Sequence, residues 1–299
     1  MGDLQIISTP QSLNGPLETW FIQNILFSGA PYALGFDSMK ISSEVVVYLE
    51  CGSIDYEVLK QIRMAGKRII LYQMGDELGQ ADLSRYREFD FVIRNYYRSD
   101  VFENVAFDNK VIWVPNGFRT GVGPRARAHI KSAGQRQGFA AFLGWISNPN
   151  SYKNERIDFA KAALACGDQL YVLPARNFAG GYNVGLYSAI MEDNIFAPCP
   201  SGNSPETIRL YDVLELGCIP IMLKHEFLFS NKALAAIGPV PFVFLDSWSE
   251  LPDFFKKVKE TFPQDLEKWR KQQLLCIGWW SNYKTYISGV ILEAICRIH

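Results

Sequence analysis

The sequence predicts an α/β fold built from two doubly wound, Rossmann-like domains that face a cleft. Short apolar runs alternate with stretches of helical periodicity, which is the pattern of a parallel sheet covered by helices. The alternation stops between Pro115 and Gly138 and then starts again. A chain of 299 residues with 48% hydrophobic content can bury two medium-sized cores.

The first half of the chain predicts one Rossmann-like layer. Its buried strands are expected at 44–49, 68–72, 89–93 and 111–114. Between the first two strands, the apolar spacing of 55–65 predicts a helix that Gly66 ends.

The segment from Pro115 to Gly138 is rich in Gly, Arg and small polar residues, so we interpret it as a domain linker or a long functional loop. The elements that follow it predict the second layer. They are a strand at 139–143, a helix at 155–165, a strand at 169–172 and a helix at 185–191.

The tail is predicted to be mostly helical over the stretches 251–262 and 263–299. The aromatic residues of the tail are expected to serve packing rather than cofactor binding. We expect the C-terminal helices to pack back on the N-terminal domain. The predicted domains are therefore 1–134, joined by the helices at about 272–299, and 135–271.

The segment Phe196–Met222 is the candidate phosphate site. A Pro/Gly/Ser loop leads into an amphipathic helix that carries Arg209 and Asp212, and Gly217 stops this helix before the next apolar strand. Free N–H groups and the helix dipole favour anions at such a helix start. An ordinary capped helix between two strands would show the same spacing and is the alternative.

Composition excludes several classes of protein. A net charge of -1 lacks the basic excess of a nucleic-acid binder. We see neither a secretory signal nor an apolar run of about 20 residues, so a soluble, cytoplasmic protein without a membrane span is expected. The six cysteines and three histidines have no metal-ligand spacing, and no Asp-x-Asp motif occurs. We therefore expect no metal and no cofactor.

Three blocks of sequence resemble exostosin-like glycosyltransferases, including the ribitol xylosyltransferase group, whose fold is GT-B. The first block contains Phe196, Pro200-x-Gly202, Thr207-Ile208-Arg209, Asp212 and Gly217–Pro220. The second contains Met74–Glu77, Tyr86, Val92–Tyr97 and Val114–Gly117, and the third contains Phe142–Gly144 followed by Arg156. The blocks span Leu71 to Met222, while the first 40 residues and the tail show little resemblance.

The resemblance implies that the second domain binds a nucleotide-sugar donor. Arg156 and Arg209 are then the diphosphate ligands, since arginine offers a permanent charge and a planar fork to phosphate. Ser204 and Thr207 are expected to add donors at the helix start, Lys153 to assist, and Gly144 to allow close approach of a phosphate. For any single arginine, a surface ion pair is the competing interpretation.

Asp212 occupies a position that is usually Glu in the family, where the carboxylate binds the ribose hydroxyls. Asp is one methylene shorter, and Glu215 on a nearby turn is a possible substitute. A simple Arg209–Asp212 pair across one helical turn is the alternative.

An inverting transfer needs a general base for the acceptor hydroxyl. Asp76 and Glu77 follow a predicted strand, at the edge of the sheet where a cleft is expected, and one of them is the candidate base. Arg94 is expected to orient that carboxylate or to contact the acceptor. In the alternative, the carboxylates cap the next helix or pair with Arg94.

The sequence therefore predicts an inverting glycosyltransferase that transfers a sugar, with xylose as the first choice, from a UDP-sugar to a hydroxyl of a glycan or glycoconjugate. A non-catalytic nucleotide-sugar or glycan-binding module on the same fold is the alternative. A GT-B epimerase or phosphorylase is a third possibility.

Overall fold

The computed structural model describes residues 4–8, 17–27, 32–34, 41–107, 110–177, 182–229 and 232–298. The chain forms two compact units, Met1–Thr120 with Lys284–His299, and Gly121–Tyr283. The sequence analysis placed the division at 134. Residues after Thr120 group with the second unit because the Arg125 N–H donates to Glu215 and the Ala133 N–H donates to Gln273, each at 2.7 Å.

The first unit contains a parallel six-stranded sheet with the strand order β2-β1-β3-β4-β5-β6. The strands are β1 (Leu4–Ser8), β2 (Tyr32–Leu34), β3 (Val45–Glu50), β4 (Arg68–Gln73), β5 (Phe91–Arg94) and β6 (Val111–Trp113). The four predicted strands are confirmed, with bounds shifted by one or two residues. The sequence analysis missed β1 and β2.

The helices of the first unit are short. They are α1 (Thr19–Phe21), which continues into a π-helical turn at Ile22–Leu26, α2 (Tyr56–Met64) and α3 (Ser99–Phe102). The predicted helix α2 begins at Asp55, whose carboxylate accepts the N–H groups of Glu57 and Val58. It buries Val58, Leu59 and Ile62 in the same core as the β3 and β4 side chains.

The second unit contains a parallel five-stranded sheet with the order β11-β10-β9-β7-β8. Its strands are β7 (Gly138–Gly144), β8 (Tyr171–Pro174), β9 (Asn194–Pro198), β10 (Ile219–Leu223) and β11 (Val243–Leu245). Strand order reverses between β7 and β9. Ligands of doubly wound sheets bind outside the carboxyl ends of the strands at such a reversal. A ligand site is therefore expected beside the carboxyl ends of β7 and β9.

The helices that begin in the second unit are α4 (Glu155–Ala165), α5 (Val184–Glu192), α6 (Ile208–Glu215), α7 (Glu226–Phe229), α8 (Lys232–Ala235) and α9 (Leu251–Ile298). The expectation that the tail is mostly helical is confirmed, and α9 is continuous through Pro263. Aromatic packing holds both sides of it: Phe254 and Trp269 contact Phe196, and Phe262 contacts Phe139.

The aromatic residues of α9 do pack as expected, since Trp269, Trp279, Trp280 and Tyr283 are all buried. Residues 284–298 of this helix group with the first unit. Among the residues that the structure describes, no helix combines the length and the apolar character that crossing a membrane requires.

Candidate active site

The strand reversal of the second unit brings together three of the predicted donor-binding residues. Gly144 ends β7, Arg156 lies in the first turn of α4, and Arg209 lies in the first turn of α6. The guanidinium groups of both arginines lie over the Phe142 ring, with Cζ at 5.4 Å from the ring centroid for Arg156 and 4.2 Å for Arg209. The two positive charges therefore share one small region at the carboxyl edge of the sheet.

Gly144 makes room for Arg209. A Cβ atom at this position would collide with Nη2 of Arg209, and the glycine has a φ of 156°. The other end of the guanidinium, Nη1, donates to the carbonyl of Leu143. The sequence analysis assigned the glycine to close approach of a phosphate, whereas its immediate neighbour is the arginine.

Arg156 is held by backbone carbonyls. Its Nε donates to Ser201 O at 2.6 Å, and its Nη1 donates to Trp145 O at 3.1 Å. The residue is only 5% exposed. Carbonyl groups fix its direction but supply no counter-charge.

Within the described part of the chain, backbone carbonyls and the Phe142 ring surround the two guanidinium groups. Among the described residues, no carboxylate oxygen lies within ion-pair distance of Arg156 or Arg209, and Nε of Arg209 is buried without a hydrogen-bond partner. Burial, and after it the positive charge of Arg209, lower the pKa of the Arg156 guanidinium. A buried positive charge is costly unless it is paired, so this region favours an anionic ligand.

The hydroxyl groups predicted as donors lie beside this region. Thr207 is the N-cap of α6, and within the described part of the chain its side chain makes no capping hydrogen bond. Ser204 Oγ accepts the Glu206 N–H at 3.3 Å. Both residues are almost buried. The Thr207 hydroxyl can therefore donate to a ligand at the start of α6.

The carboxylates of α6 have different environments. Asp212 is fully buried, and it forms no ion pair with Arg209 in the residues described, so the simple pair considered above is not formed. Glu215 accepts the Arg125 N–H on one oxygen and the indole N–H of Trp280 on the other, each at 2.7 Å. These structural bonds occupy Glu215 and make it a poor substitute for Asp212.

Lys153 belongs to a strained turn before α4. It and Asn154 have positive φ values of 50° and 60°, a conformation that residues other than glycine rarely adopt. The Tyr152 N–H donates to Gly202 O at 2.8 Å and ties this turn to the loop after β9. Lys153 is exposed, with its ammonium 5.1 Å from the Tyr152 ring centroid, and its assisting role stays a prediction.

Asp76, in the first unit, is surrounded by donors. Oδ1 accepts the N–H groups of Gln80 and Ala81 at 2.7 and 2.8 Å, and Oδ2 accepts Arg94 Nη2 at 2.9 Å and Arg98 Nη1 at 3.1 Å. Burial alone raises the pKa of the Asp76 carboxyl, but these hydrogen bonds outweigh it and the pKa is lowered. The geometry favours the alternative in which Asp76 caps a turn and pairs with Arg94.

Arg94 is fully buried, so it does not reach an acceptor from its position. Besides Asp76, its guanidinium donates to the hydroxyl of Tyr86 at 2.7 Å and to the carbonyls of Asn95 and Tyr96, each at 3.1 Å. We therefore interpret Arg94 as a structural cation that fixes the chain after β5.

Glu77 differs from its neighbour, because it is half-buried and accepts a hydrogen bond from the Tyr96 hydroxyl at 3.1 Å. Tyr96 itself has a φ of 56°, which is unfavourable for an aromatic residue. The sequence analysis did not single out Tyr96, since a left-handed tyrosine leaves no pattern in a sequence. The structure thus joins Glu77, Tyr96 and Arg94 at the end of β5.

A second group that the sequence analysis missed lies in the second unit. Glu155 Oε1 accepts the Ser201 N–H at 3.1 Å and the Trp248 indole N–H at 2.9 Å. Glu155 Oε2 accepts the Ser201 hydroxyl and lies 3.2 Å from His225 Nε2. These four residues come from four separate segments of the chain, so no local spacing predicts them.

No group of three or more His, Cys, Asp or Glu residues suited to holding a metal ion occurs in the described ranges.

Comparison with known proteins finds a similarity in the C-terminal part of the chain. Residues 182–297 match the model of the RXYLT1 C-terminal domain. Ribitol-5-phosphate xylosyltransferase 1 of Mus musculus is 29% identical over 98 residues, which are 29% of this chain and 21% of the relative. The resemblance to exostosin-like, xylosyltransferase-type proteins is confirmed. The chain covers about a fifth of that relative's length.

The matched segment includes Ser204, Thr207, Arg209 and Asp212. It also includes most of α9, so the expectation that the tail shows little resemblance was wrong. The blocks around Asp76 and Arg156 lie outside the matched residues.

Two solved structures are similar to this chain over almost its whole length. A glycosyltransferase from Rickettsia africae ESF-5 has a TM-score of 0.57 and 9% identity, covering 99% of this chain and 98% of that protein. Spinosyn forosaminyltransferase SpnP has a TM-score of 0.46 and 10% identity, covering 99% and 100%. The predicted fold class is confirmed: the chain is an α/β protein of the GT-B type, with two Rossmann-like units.

Proposed function

We propose that the protein is an inverting glycosyltransferase that uses a UDP-sugar, with xylose as the first candidate sugar, and a hydroxyl of a glycan or glycoconjugate as acceptor. The observation that carries the proposal is the pair formed by the buried Arg156 and the half-buried Arg209 at the strand reversal of the second unit. Among the described residues, no carboxylate oxygen lies within ion-pair distance of either guanidinium. The diphosphate of a nucleotide sugar would supply the missing negative charge. The choice of xylose rests on the name of the mouse relative alone.

The same residues suit the charge that develops during transfer. As the bond between the sugar C1 and the diphosphate oxygen breaks, its electron pair stays with the diphosphate, which becomes more negative. Arginine side chains and the N-terminus of α6 stabilise that charge without reorganising. Thr207 would donate its hydroxyl to a phosphate oxygen. We propose that this set replaces a divalent metal ion.

The other half of the chemistry is the acceptor. We propose that Glu77 takes the proton of the acceptor hydroxyl while the acceptor oxygen forms its bond to C1 from the side opposite the diphosphate. Glu77 is the better candidate of the predicted pair, because four donors already occupy Asp76. Tyr96 would orient Glu77 through its hydroxyl, and Asp212 is proposed for the ribose hydroxyls.

The test combines donor binding with product analysis. Wild-type protein is titrated with UDP and UDP-xylose and is then assayed for donor hydrolysis and for transfer to glycan acceptors. We expect Arg209→Ala to abolish transfer with the fold intact, and Arg297→Ala, which removes an exposed arginine paired with Glu293, to behave as wild type. A folded Arg209→Ala variant with full activity would overturn the assignment.

A non-catalytic nucleotide-sugar or glycan-binding module is the second candidate. The observation that favours it is the full engagement of Asp76, which leaves Glu77 as the single proposed base. Stabilisation by UDP-sugars without hydrolysis or transfer would support this candidate. Release of sugar phosphate or of an altered sugar would instead indicate a phosphorylase or an epimerase.

A further inference from the structure

Glu155 connects several segments of the chain beside the anion site, which we define as the region around Arg156, Arg209 and Gly144 in the second unit. Its carboxylate accepts hydrogen bonds from Ser201, in the loop after β9, and from Trp248, after β11. His225, after β10, forms an ion pair with it when protonated. Glu155 is 5% exposed and Ser201 is fully buried. We call these four residues, Glu155, Ser201, His225 and Trp248, the Glu155 cluster.

The cluster leads directly to Arg156. Glu155 holds the N–H and the hydroxyl of Ser201, while the carbonyl of Ser201 accepts Nε of Arg156 at 2.6 Å. The Arg156 N–H donates in turn to Ser151 Oγ at 3.1 Å. The direction of the Arg156 guanidinium is therefore set by a residue whose own backbone is fixed by Glu155.

The surroundings of Glu155 favour its ionised form. Burial by itself raises the pKa of the Glu155 carboxyl, but the hydrogen bond and charge of His225, and then the bonds from Ser201, outweigh burial and lower the pKa. Glu155 is therefore ionised at neutral pH. Since His225 and two neutral donors surround this carboxylate, it fixes Ser201 without forming an ion pair with Arg156.

We propose that Glu155 is a positioning residue of the donor site, which aims Arg156 at the donor diphosphate through the carbonyl of Ser201; the proposal rests on the proposed function. It extends the site to a residue that touches neither sugar nor nucleotide. His225 and Trp248 contact the same carboxylate and help to hold it in place.

The experiment measures binding of inorganic pyrophosphate and of UDP by calorimetry, with folding checked by circular dichroism. Glu155→Gln keeps the size of the side chain but replaces an acceptor oxygen with a donor. We expect it to weaken pyrophosphate binding about tenfold, as for loss of one charge-assisted hydrogen bond. Asp158→Asn is the matched control, since it makes the same change on an exposed position of α4 and should bind as wild type.

A thermodynamic cycle distinguishes positioning from general stabilisation. If Glu155 acts through Arg156, Glu155→Gln has no further effect on pyrophosphate affinity in an Arg156→Ala background. An equal loss in both backgrounds would overturn the proposal. His225→Gln, a milder change at the same carboxylate, should weaken binding in the same direction and serves where Glu155→Gln does not fold.

The experiment distinguishes a failure of the proposed function from a failure of the positioning role of Glu155. If wild-type protein binds neither pyrophosphate nor UDP, the proposed function fails. If wild type binds both and Arg156→Ala weakens them, but folded Glu155→Gln and His225→Gln bind as wild type, the proposed function stands and the positioning role of Glu155 is wrong.

Discussion

The guanidinium group of Arg209 lies so close to the α-carbon of Gly144 that no side chain fits between them. The glycine ends β7 and the arginine begins α6, so the contact joins the two strand-to-helix connections at the strand reversal of the second sheet. Arg156 lies beside them, over the same Phe142 ring. The anion site thus depends on the space that Gly144 leaves for Arg209 as well as on the charges of the two arginines.

Gly144→Ala should therefore behave as a mutation of Arg209. Because the added methyl group displaces the guanidinium, we expect UDP affinity to fall by about tenfold or more, the value of one charge-assisted hydrogen bond. Calorimetric titration with UDP measures the change.

Gly278→Ala is the control for this substitution. Nothing lies within 4 Å of a Cβ at Gly278 in α9, and alanine in a helix interior is more stable than glycine by about 1 kcal/mol. Wild-type UDP affinity in Gly144→Ala would show that the close contact does not matter for the ligand.

Glu77→Gln should remove transfer and spare donor binding, because the proposed base acts on the acceptor hydroxyl alone. We expect a fall in kcat of about 100-fold or more, which is typical for loss of general base catalysis. Glu88→Gln, at a partly exposed site in the same unit, is the control. If Glu77→Gln keeps the wild-type rate, the base has to be another residue.

Tyr96→Phe tests the orienting hydroxyl. It removes the hydrogen bond to Glu77 but keeps the aromatic ring. We expect kcat to fall less than in Glu77→Gln, with a change in stability of about 1 kcal/mol, as for one hydrogen bond. An unchanged kcat, together with an unchanged pH profile of kcat, would remove Tyr96 from the proposed site.

Asp76→Asn should act on stability. Removing the charge of this carboxylate, which pairs with Arg94 and Arg98, is expected to cost about 3–5 kcal/mol, because Arg94 stays fully buried. Since the pKa of Asp76 is lowered from its ordinary value of 3.8, this stabilisation is present above about pH 4 and is lost as the pH falls through the lowered pKa.

Urea unfolding of wild type and Asp76→Asn between pH 7 and pH 3 measures that difference. The free energies of unfolding should differ most at neutral pH and converge under acid. A constant difference over the whole range would mean that the charge of Asp76 is not what stabilises the first unit.

Metal independence is a separate expectation. If Arg156, Arg209 and the start of α6 neutralise the diphosphate, transfer should continue in excess chelator. Initial rates with and without EDTA measure this. Complete loss of activity that manganese restores would show that a metal ion is required.

The sequence predicted those helices and strands that have a clear local pattern of apolar residues. Continuous apolar runs gave β3 and β4, and the loop and helix around Arg209 were correctly located. The strands β2 and β11, with three residues each, were not identified from the sequence. The tail was predicted to be helical, and α9 is helical throughout, with aromatic packing on both sides of Pro263.

The contacts within the candidate site could not be predicted from the sequence, because they join residues that are far apart in the chain. Arg156 and Arg209 could be named from the sequence, but which groups surround them depends on the packing of distant segments of the chain. Glu155 looked like the first residue of a helix, and its bonds to Ser201 and Trp248 bridge distant parts of the chain. Asp76 was a candidate base from its place after a predicted strand, but four hydrogen-bond donors occupy its carboxylate in the structure.

Calorimetric titration of UDP into wild-type protein and into Arg209→Ala tests the central claim most directly. We expect saturable binding to wild type and an affinity at least about 10-fold lower for the folded variant, since a charge-assisted contact to phosphate is lost. Equal UDP affinities in the two folded proteins, or no binding to wild type, would contradict a diphosphate site at the paired arginines.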